Sequence, residues 1–422
     1  MDGLLSILKP SEDRHLLLLF QNPSEIRPAG GFIGSYGVAT FNRGNLKNLQ
    51  VDDIYNADRQ THLKLIPPKE LQIITKDWGA RDANWFFNFQ TSAQKVLAIM
   101  EDSDLYSQKG INFEGVISIN TDVLATILDI TGPISIPGYD LKLDSKNFLK
   151  EIQYEVEAGR DKKPGQNPKK VLSVFAPILM ERLVNFDGPQ KELLLQKFKN
   201  HFEEKDIMVY FRDWRLENFA DELGISGNVL ELPSGFNGDY LAVVNANIAG
   251  GKTDAFIDQK ISLKSGISED GTVANSLVIS RKHSGEKEKD WWYRMANKDY
   301  IKILAPENSK LISLSGNGDF KSVNREYLRD YKNDIDLESI EKNSKLSEKF
   351  RALIGKESGR ASFGAWLETQ PGKTGTLKAG YEFKTDVGDG KPYVFIFEKQ
   401  SGVGGSLEYS VSAPDGYIWK ES

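Results

Sequence analysis

Five apolar residues in a row, Leu16-Leu17-Leu18-Leu19-Phe20, stand between His15 and Gln21, and Asn22-Pro23-Ser24 closes the run. A run this short, with no polar interruption, reads as a central strand covered on both faces, which obliges the rest of the chain to supply covering layers. Pro23 stops it, because proline has no N–H for the ladder. Gly31 to Phe41 is then rich in β-forming and small residues, and Asn42-Arg43-Gly44-Asn45 turns the chain into Leu46 to Ile54. There Leu49, Val51 and Asp53 alternate with Asn48, Gln50 and Asp52, so the two segments read as a hairpin.

From Asn84 to Met100, Trp85, Phe89, Ala93, Val96, Leu97 and Met100 fall on one stripe at helical spacing, with Asp82 or Asn84 as cap. Gly115 to Ile119 reads as a buried strand, Asp122 to Ile130 as a helix, and Gly132 to Gly138 as a strand pinched between turn residues. Helices over Ser145 to Ala158 and Pro168 to Leu183 and a strand over Ile207 to Phe211 follow. Strands interleaved with helices imply an α/β (α+β) domain, a mixed sheet flanked by helices. Near Leu232-Pro233-Ser234-Gly235 the pattern changes to period 2: Leu377, Ala379, Tyr381 and Phe383 alternate with Lys378, Gly380, Glu382 and Lys384, and Leu407, Tyr409 and Val411 with Glu408, Ser410 and Ser412. The expectation is an α/β domain over 1–232 and a mainly β, sandwich-like domain over 233–422. The charged stretch Ser322 to Lys356, with helical residue preferences, reads as a helical insertion.

A chain of 422 residues suits two or three domains, and 39% hydrophobic against 27% charged residues is enough to fold. The 54 Lys and Arg against 60 Asp and Glu give a net charge of -6, so no global positive field draws the chain to nucleic acid. No cysteine is present, which excludes disulfides, thiolate zinc sites and cysteine nucleophiles. No stretch reaches the roughly 18–20 apolar residues of a membrane span, and Met1-Asp2-Gly3-Leu4-Leu5 is not a basic region followed by an apolar one, so the chain as given reads as soluble.

Two glycine-rich segments invite nucleotide readings. Ala246-Asn247-Ile248-Ala249-Gly250-Gly251-Lys252-Thr253 ends like a phosphate loop, but its first glycine is missing, and Ile261 and Leu263 alternating with Lys260 and Ser262 announce a strand where a helix is needed. It reads as a strand-to-strand turn. Gly30-Gly31-Phe32-Ile33-Gly34 lacks dinucleotide spacing and also precedes a strand, so its glycines serve a sharp turn and close approach.

Arg27, Arg81 and Arg160 each sit in a loop beside glycine or proline. Any one of them is best read as a surface or salt-bridged residue, but converging guanidinium forks suit phosphate or pyrophosphate. Carboxylates at Glu25, Asp53 and Asp82 supply the oxygen ligands of a divalent metal, magnesium in a phosphate site, or equally the partners of those arginines. His15, His62, His201 and His283 show no metal-ligand spacing and read as structural. Trp291-Trp292-Tyr293 reads as packing, with sugar stacking as the alternative, and Lys162-Lys163 and Lys169-Lys170 read as solvated helix ends.

The stretch from Leu17 through Gln21-Asn22-Pro23-Ser24-Glu25-Ile26-Arg27-Pro28-Ala29-Gly30-Gly31-Phe32-Ile33-Gly34-Ser35 resembles a bacterial envelope family designated domain of unknown function 4012. The resemblance extends through Phe113 to Ile119, Thr131-Gly132-Pro133-Ile134 and Asp239 to Asn247. It implies the extracytoplasmic part of a protein held at the membrane by an N-terminal anchor. In layout, Arg14 to Ile136 is also similar to the LytR-CpsA-Psr phosphotransferases, which move glycans from polyprenyl pyrophosphate carriers to cell-wall polymer. Where that family has Arg-Ser-Asp-Thr, this chain has Arg27-Pro28-Ala29-Gly30, and Asp53-Ile54 stands where a second arginine is expected. The resemblance thus implies binding of a phosphate-bearing envelope ligand such as a polyprenyl-pyrophosphate-linked glycan, by Arg27, Arg81 and Arg160, with phosphotransfer if a magnesium ion is placed by Glu25 or Asp53. The competing expectation is a non-catalytic cell-surface scaffold or adhesion protein.

Overall fold

The structure is a computed structural model, and it describes residues 12–159, 169–323, 325–387 and 392–420. It divides into two compact units, the first made of Met1–Pro23, Ala29–Leu63 and Gly79–Asn228, the second of Ser24–Pro28, Lys64–Trp78 and Val229–Ser422.

The first unit is built on a five-stranded mixed sheet of order β3-β2-β1-β4-β7. Strand β1 (Arg14–Arg27) contains the apolar run, with Leu17 and Leu19 fully buried, but it does not stop at Pro23. Its ladder to the parallel strand Phe113–Asn120 ends at Gln21, so the missing proline N–H breaks no pairing there and the strand continues to Arg27. Strands β2 (Gly30–Asn42) and β3 (Asn45–Asp53) form the expected antiparallel hairpin. Its two-residue turn has positive φ at both Arg43 (48°) and Gly44 (80°), the twist that joins adjacent antiparallel strands. Helix α1 (Ile54–Asp58) follows directly. Helix α2 (Phe89–Asp102) buries Phe89, Ala93, Val96, Leu97 and Met100, the stripe seen in the sequence. Its cap, however, is Asn88, whose side chain accepts from Thr91 N, and neither Asp82 nor Asn84. The reason is that Trp85, Phe86 and Phe87 are buried in a non-helical segment, while the Asn84 amide donates to Gly31 O instead.

The short α3 (Asp104–Ser107) leads to β4 (Phe113–Asn120), which runs parallel to β1 with Leu17 opposite Val116. Then come α4 (Thr121–Thr131), a small ribbon of β5 (Ile134–Ser135) and β6 (Lys142–Leu143), α5 (Phe148–Ala158), α6 (Lys170–Val184), α7 (Gly188–Glu203), β7 (Ile207–Phe211) and α8 (Trp214–Glu222). Ile117 and Ile119 of β4 pack into a core with Val123 and Ile127 of α4, Phe148 of α5 and Phe175 of α6, while α2 packs on β4 and β7.

The second unit is a β-sandwich. Its strands are β8 (Gly238–Asn247), β9 (Ile257–Ile267), β10 (Thr272–His283), β11 (Asn297–Ala305) and β12 (Lys310–Ser315), followed by α9 (Ile335–Lys342). After it come β13 (Lys345–Ser347), β14 (Ala352–Glu357), β15 (Arg360–Thr369), β16 (Thr374–Lys384), β17 (Val394–Phe397) and β18 (Ser406–Ser412). One sheet has the order β12-β16-β10-β9-β18 and the other β13-β14-β15-β11-β8-β17. Leu377, Ala379 and Tyr381 from the first meet Leu241, Ile303 and Phe363 from the second in one apolar core, as the period-2 pattern demands. The phosphate-loop look-alike is a turn and a short 3-10 stretch, Thr253–Phe256, leading straight into β9.

Two expectations change. The helical insertion over 322–356 reduces to α9, capped by the Asp334 side chain, with strands β13 and β14 after it. Ahead of α9 the backbone finds partners away from its own turn: Ile66 N donates to Lys332 O and Lys332 N to Lys64 O. Donors satisfied in that way are withdrawn from a helix. For the same reason Lys64–Trp78 belongs to the second unit, so the division is not a single cut at 232/233 but falls at Asn228/Val229 with two earlier excursions.

Candidate functional site

Of the residues expected to bind phosphate and metal, Glu25 and Arg27 belong to the second unit, and Asp53, Arg81 and Asp82 to the first. Arg160 lies outside the described residues.

Arg27 is an interior residue, 1% exposed. Its Nη1 donates to Asn247 O at 2.8 Å and Ile26 O at 3.1 Å, and its Nη2 meets Glu25 Oε1 at 3.2 Å. Glu25 lies 3.7 Å from Lys252 through its other oxygen. The segment is tied further: Ile26 N donates to Asp254 Oδ2, which also accepts from Asn247 Nδ2 at 2.7 Å, and Gln400 Nε2 donates to Arg27 O. Asp254 Oδ1 in turn takes Arg281 Nη2 at 2.7 Å. Nη1 of buried Arg281 is bound by Asn245 Oδ1 and Gln259 Oε1, each at 2.7 Å, with the enclosed Asp299 carboxylate at 3.2 Å. In this interior network each charge has an opposite charge or a carbonyl dipole in contact, while Arg281 Nε, Asn247 Oδ1 and both Asp299 oxygens are left without a hydrogen-bond partner among the described residues.

In the first unit, Asp53 ends β3 and caps α1 by accepting from Tyr55 N, so Tyr55 is presented on the first turn, 39% exposed. Arg81, in the 3-10 turn Ala80–Asp82, donates to Asp58 Oδ2 at 2.7 Å and lies 3.5 Å from Asp82 Oδ2 through Nε. Its guanidinium carbon stands 5.5 Å from the centre of the Tyr55 ring. Lys169, just before α6, brings its ammonium to 5.2 Å from the same ring, 2.8 Å from Asp53 Oδ1 and into a hydrogen bond with Gly34 O. Two cations therefore share one aromatic ring, with three carboxylates around them. Burial pushes the Asp58 carboxyl up despite its contact with Arg81, and burial also works against the Arg81 charge, where Asp58 and Asp82 outweigh it and raise its pKa.

The structure thus groups Asp53, Arg81 and Asp82 about Tyr55 and adds three residues that the sequence alone did not single out for a site, Tyr55, Asp58 and Lys169. Lys169 is not a solvated helix end: its side chain is 10% exposed. Only a lysine at the start of a helix hinted at it, and nothing local shows that it meets a carboxylate 116 residues away. A magnesium ion does not fit here. The Asp53 oxygen holds an ammonium, Asp82 faces a guanidinium, and among the described residues no group of three His, Asp or Glu side chains is arranged around a metal position.

One further arrangement has the order of a hydrolytic triad: His201 stands 2.9 Å from Asp206 Oδ2 and 2.8 Å from Thr126 Oγ1. Thr126 lies inside α4, whose backbone amides are committed to the helix and cannot turn toward an oxyanion, so the row ties α7 to α4.

A mixed α/β unit followed by a β-sandwich is the class of protein the fold defines. Residues 11–156 match the family model described as "Protein of unknown function (DUF4012)". No curated protein matches the chain. Among known structures, the Lin1025 protein of Listeria innocua is 11% identical, with 55% of this chain and 86% of that one covered at a TM-score of 0.29. TagV of B. subtilis is 12% identical, with 51% and 80% covered at 0.29, and gbs0355 of Streptococcus agalactiae 15% identical, with 51% and 74% covered at 0.29. Chemistry is therefore read from this chain's own side chains.

Proposed function

We propose that the protein is a non-catalytic cell-envelope protein, a surface scaffold or adhesion protein whose resemblance to an anchored envelope family accounts for its α/β unit and whose β-sandwich presents or spaces it. One observation carries this reading: both described arginines of the expected phosphate site, and the lysine found beside one of them, are already held from within. Arg27 is spent on the Asn247 and Ile26 carbonyls, Arg81 on Asp58, and Lys169 on Asp53 and the Gly34 carbonyl. Around Tyr55, two cations face three carboxylates, which leaves one net negative charge when all are ionised and repels a phosphate. An incoming anion would have to displace a buried carboxylate from its partner, leaving that carboxylate unpaired.

A second reading, a receptor for a phosphate-bearing envelope ligand such as a polyprenyl-pyrophosphate-linked glycan, has one observation in its favour. Arg81 and Lys169 both lie within 5.5 Å of one half-exposed ring. Thermal denaturation with inorganic pyrophosphate and with a polyprenyl phosphate, each with and without magnesium, separates the two. A ligand at a hundred times its dissociation constant adds about 2.7 kcal/mol to the state that binds it. The scaffold reading expects no change in Tm. A rise of about 5 °C or more that Arg81→Ala abolishes would overturn it and establish the receptor.

A further inference from the structure

Lys169 sits in surroundings that have the composition of an ammonium receptor. Its Nζ donates to a carboxylate, Asp53 Oδ1, at 2.8 Å and to a backbone carbonyl, Gly34 O, and lies 5.2 Å from the centre of an aromatic ring, Tyr55. Carboxylate, carbonyl and π face are the three group types that recognise R–NH3+. All three come from one continuous piece of the sheet and its exit, β2, β3 and α1, whereas the lysine arrives from the far side of the sequence ahead of α6. The receptor half is thus formed without the lysine's own element.

The space beside Gly34 supports the same view. Among the described residues a Cβ built on Gly34 would meet a single heavy atom within 4 Å, the Lys169 ammonium nitrogen at 3.7 Å. At Gly31, three residues earlier, the same construction collides with the Asn22 backbone at 2.1 Å. Among the described residues the volume over Gly34 is therefore occupied by the lysine tip alone, and withdrawing the tip opens a hollow floored by a carbonyl and walled by a carboxylate. Tyr55 is 39% exposed, so one wall of that hollow is in contact with solvent.

We propose that Gly34 O, Asp53 and Tyr55 form a binding site for a primary alkylammonium group, occupied in cis by Lys169 as a tethered ligand. The external ligand class is an unbranched primary amine in its protonated form, such as a lysine-type side chain or an amino-bearing envelope constituent. Lys169 competes with it at the high effective concentration of an intramolecular group, so the intact chain keeps the site closed. Release of the lysine, rather than affinity alone, then controls access. This is independent of whether Arg81 binds phosphate.

The test is chemical rescue. Lys169→Ala protein is titrated with n-butylammonium chloride at constant ionic strength and followed by thermal denaturation, beside wild type and the Lys169→Ala/Asp53→Asn double variant. A rise in Tm of roughly 5 °C at saturation is expected for Lys169→Ala, with no rise for wild type or the double variant. Equal shifts in all three proteins, or none in Lys169→Ala, overturn the proposal. If Lys169→Ala fails to fold alone, it is refolded with n-butylammonium: recovery supports the site, and failure to recover refutes it. tert-Butylammonium, branched at the carbon where the lysine stem is linear, is expected to give less than a tenth of the n-butyl effect, and an equal effect would also overturn the proposal.

Discussion

Replacing Arg27 with alanine tests whether the family-like segment around it is a ligand site or an internal brace. Two hydrogen bonds from a charged donor to the Asn247 and Ile26 carbonyls contribute about 1.5–3 kcal/mol each. The contact with the partly exposed Glu25 adds about 1 kcal/mol or less. Against them stands the cost of holding a guanidinium out of water, several kcal/mol, which truncation gives back. Truncation also takes a donor from the buried Asn247 carbonyl, about 1–3 kcal/mol, and opens a void, since Arg27 is among the largest fully buried side chains. The balance is a loss of about 3 kcal/mol, or a fall in Tm of about 6–12 °C for a unit of 150–250 residues. Arg27→Lys is expected to recover less than half of that, because one ammonium cannot reproduce the planar fork. Differential scanning calorimetry of wild type and both variants measures it. A residue retained for ligand binding at the expense of stability leaves the protein unchanged or firmer when removed, so a fall under 2 °C, or a gain, would refute the brace.

The Asp239 carboxyl, enclosed in the sandwich, is pushed up to about 6 by burial against hydrogen bonds from Asn275, Tyr240 N and Ser265. The folded state therefore holds a proton that the unfolded chain releases near 4, and stability declines as pH rises from about 4 through 6. Asp239→Asn should flatten the Tm profile between pH 4 and 8 and gain on wild type at pH 8; parallel profiles would exclude this cause. Gly31→Ala should cost more than about 2 kcal/mol, because its Cβ meets backbone at 2.1 Å that cannot yield. Gly34→Ala, which among the described residues meets a lysine tip at 3.7 Å and no backbone, should stay within about 0.5 kcal/mol of wild type. Urea unfolding of the pair measures both, and similar losses would contradict the packing assigned to the turn.

The sheet was legible because short-range pattern decides it. The Leu16 to Phe20 run, the Arg43-Gly44 turn and the alternation along β16 each carry their own period or turn chemistry. What escaped depends on partners remote in the chain. The 322–356 stretch has helical residue preferences, yet Lys64 and Ile66 claim the backbone groups of Lys332. Arg27 looked like a loop arginine open to solvent, but the carbonyl that fixes it lies 220 residues away. Lys169 resembled every other lysine at a helix start until Asp53 and Gly34 were placed beside it. Residue type thus marked Asp53, Arg81 and Asp82 as chemically able, while what each charge touches is a tertiary property.

The excursions of Ser24–Pro28 and Lys64–Trp78 into the second unit bear on how such a chain can be inherited. A recombination breakpoint at Asn228/Val229 would hand a new host the β-sandwich without Ile26, Arg27 and Leu65, the bridge partner of Lys332, and would leave the donor half with two orphaned segments. The two bodies are therefore a single heritable item, and lineages that shuffle modules by fusing ends would be expected to carry them together or not at all.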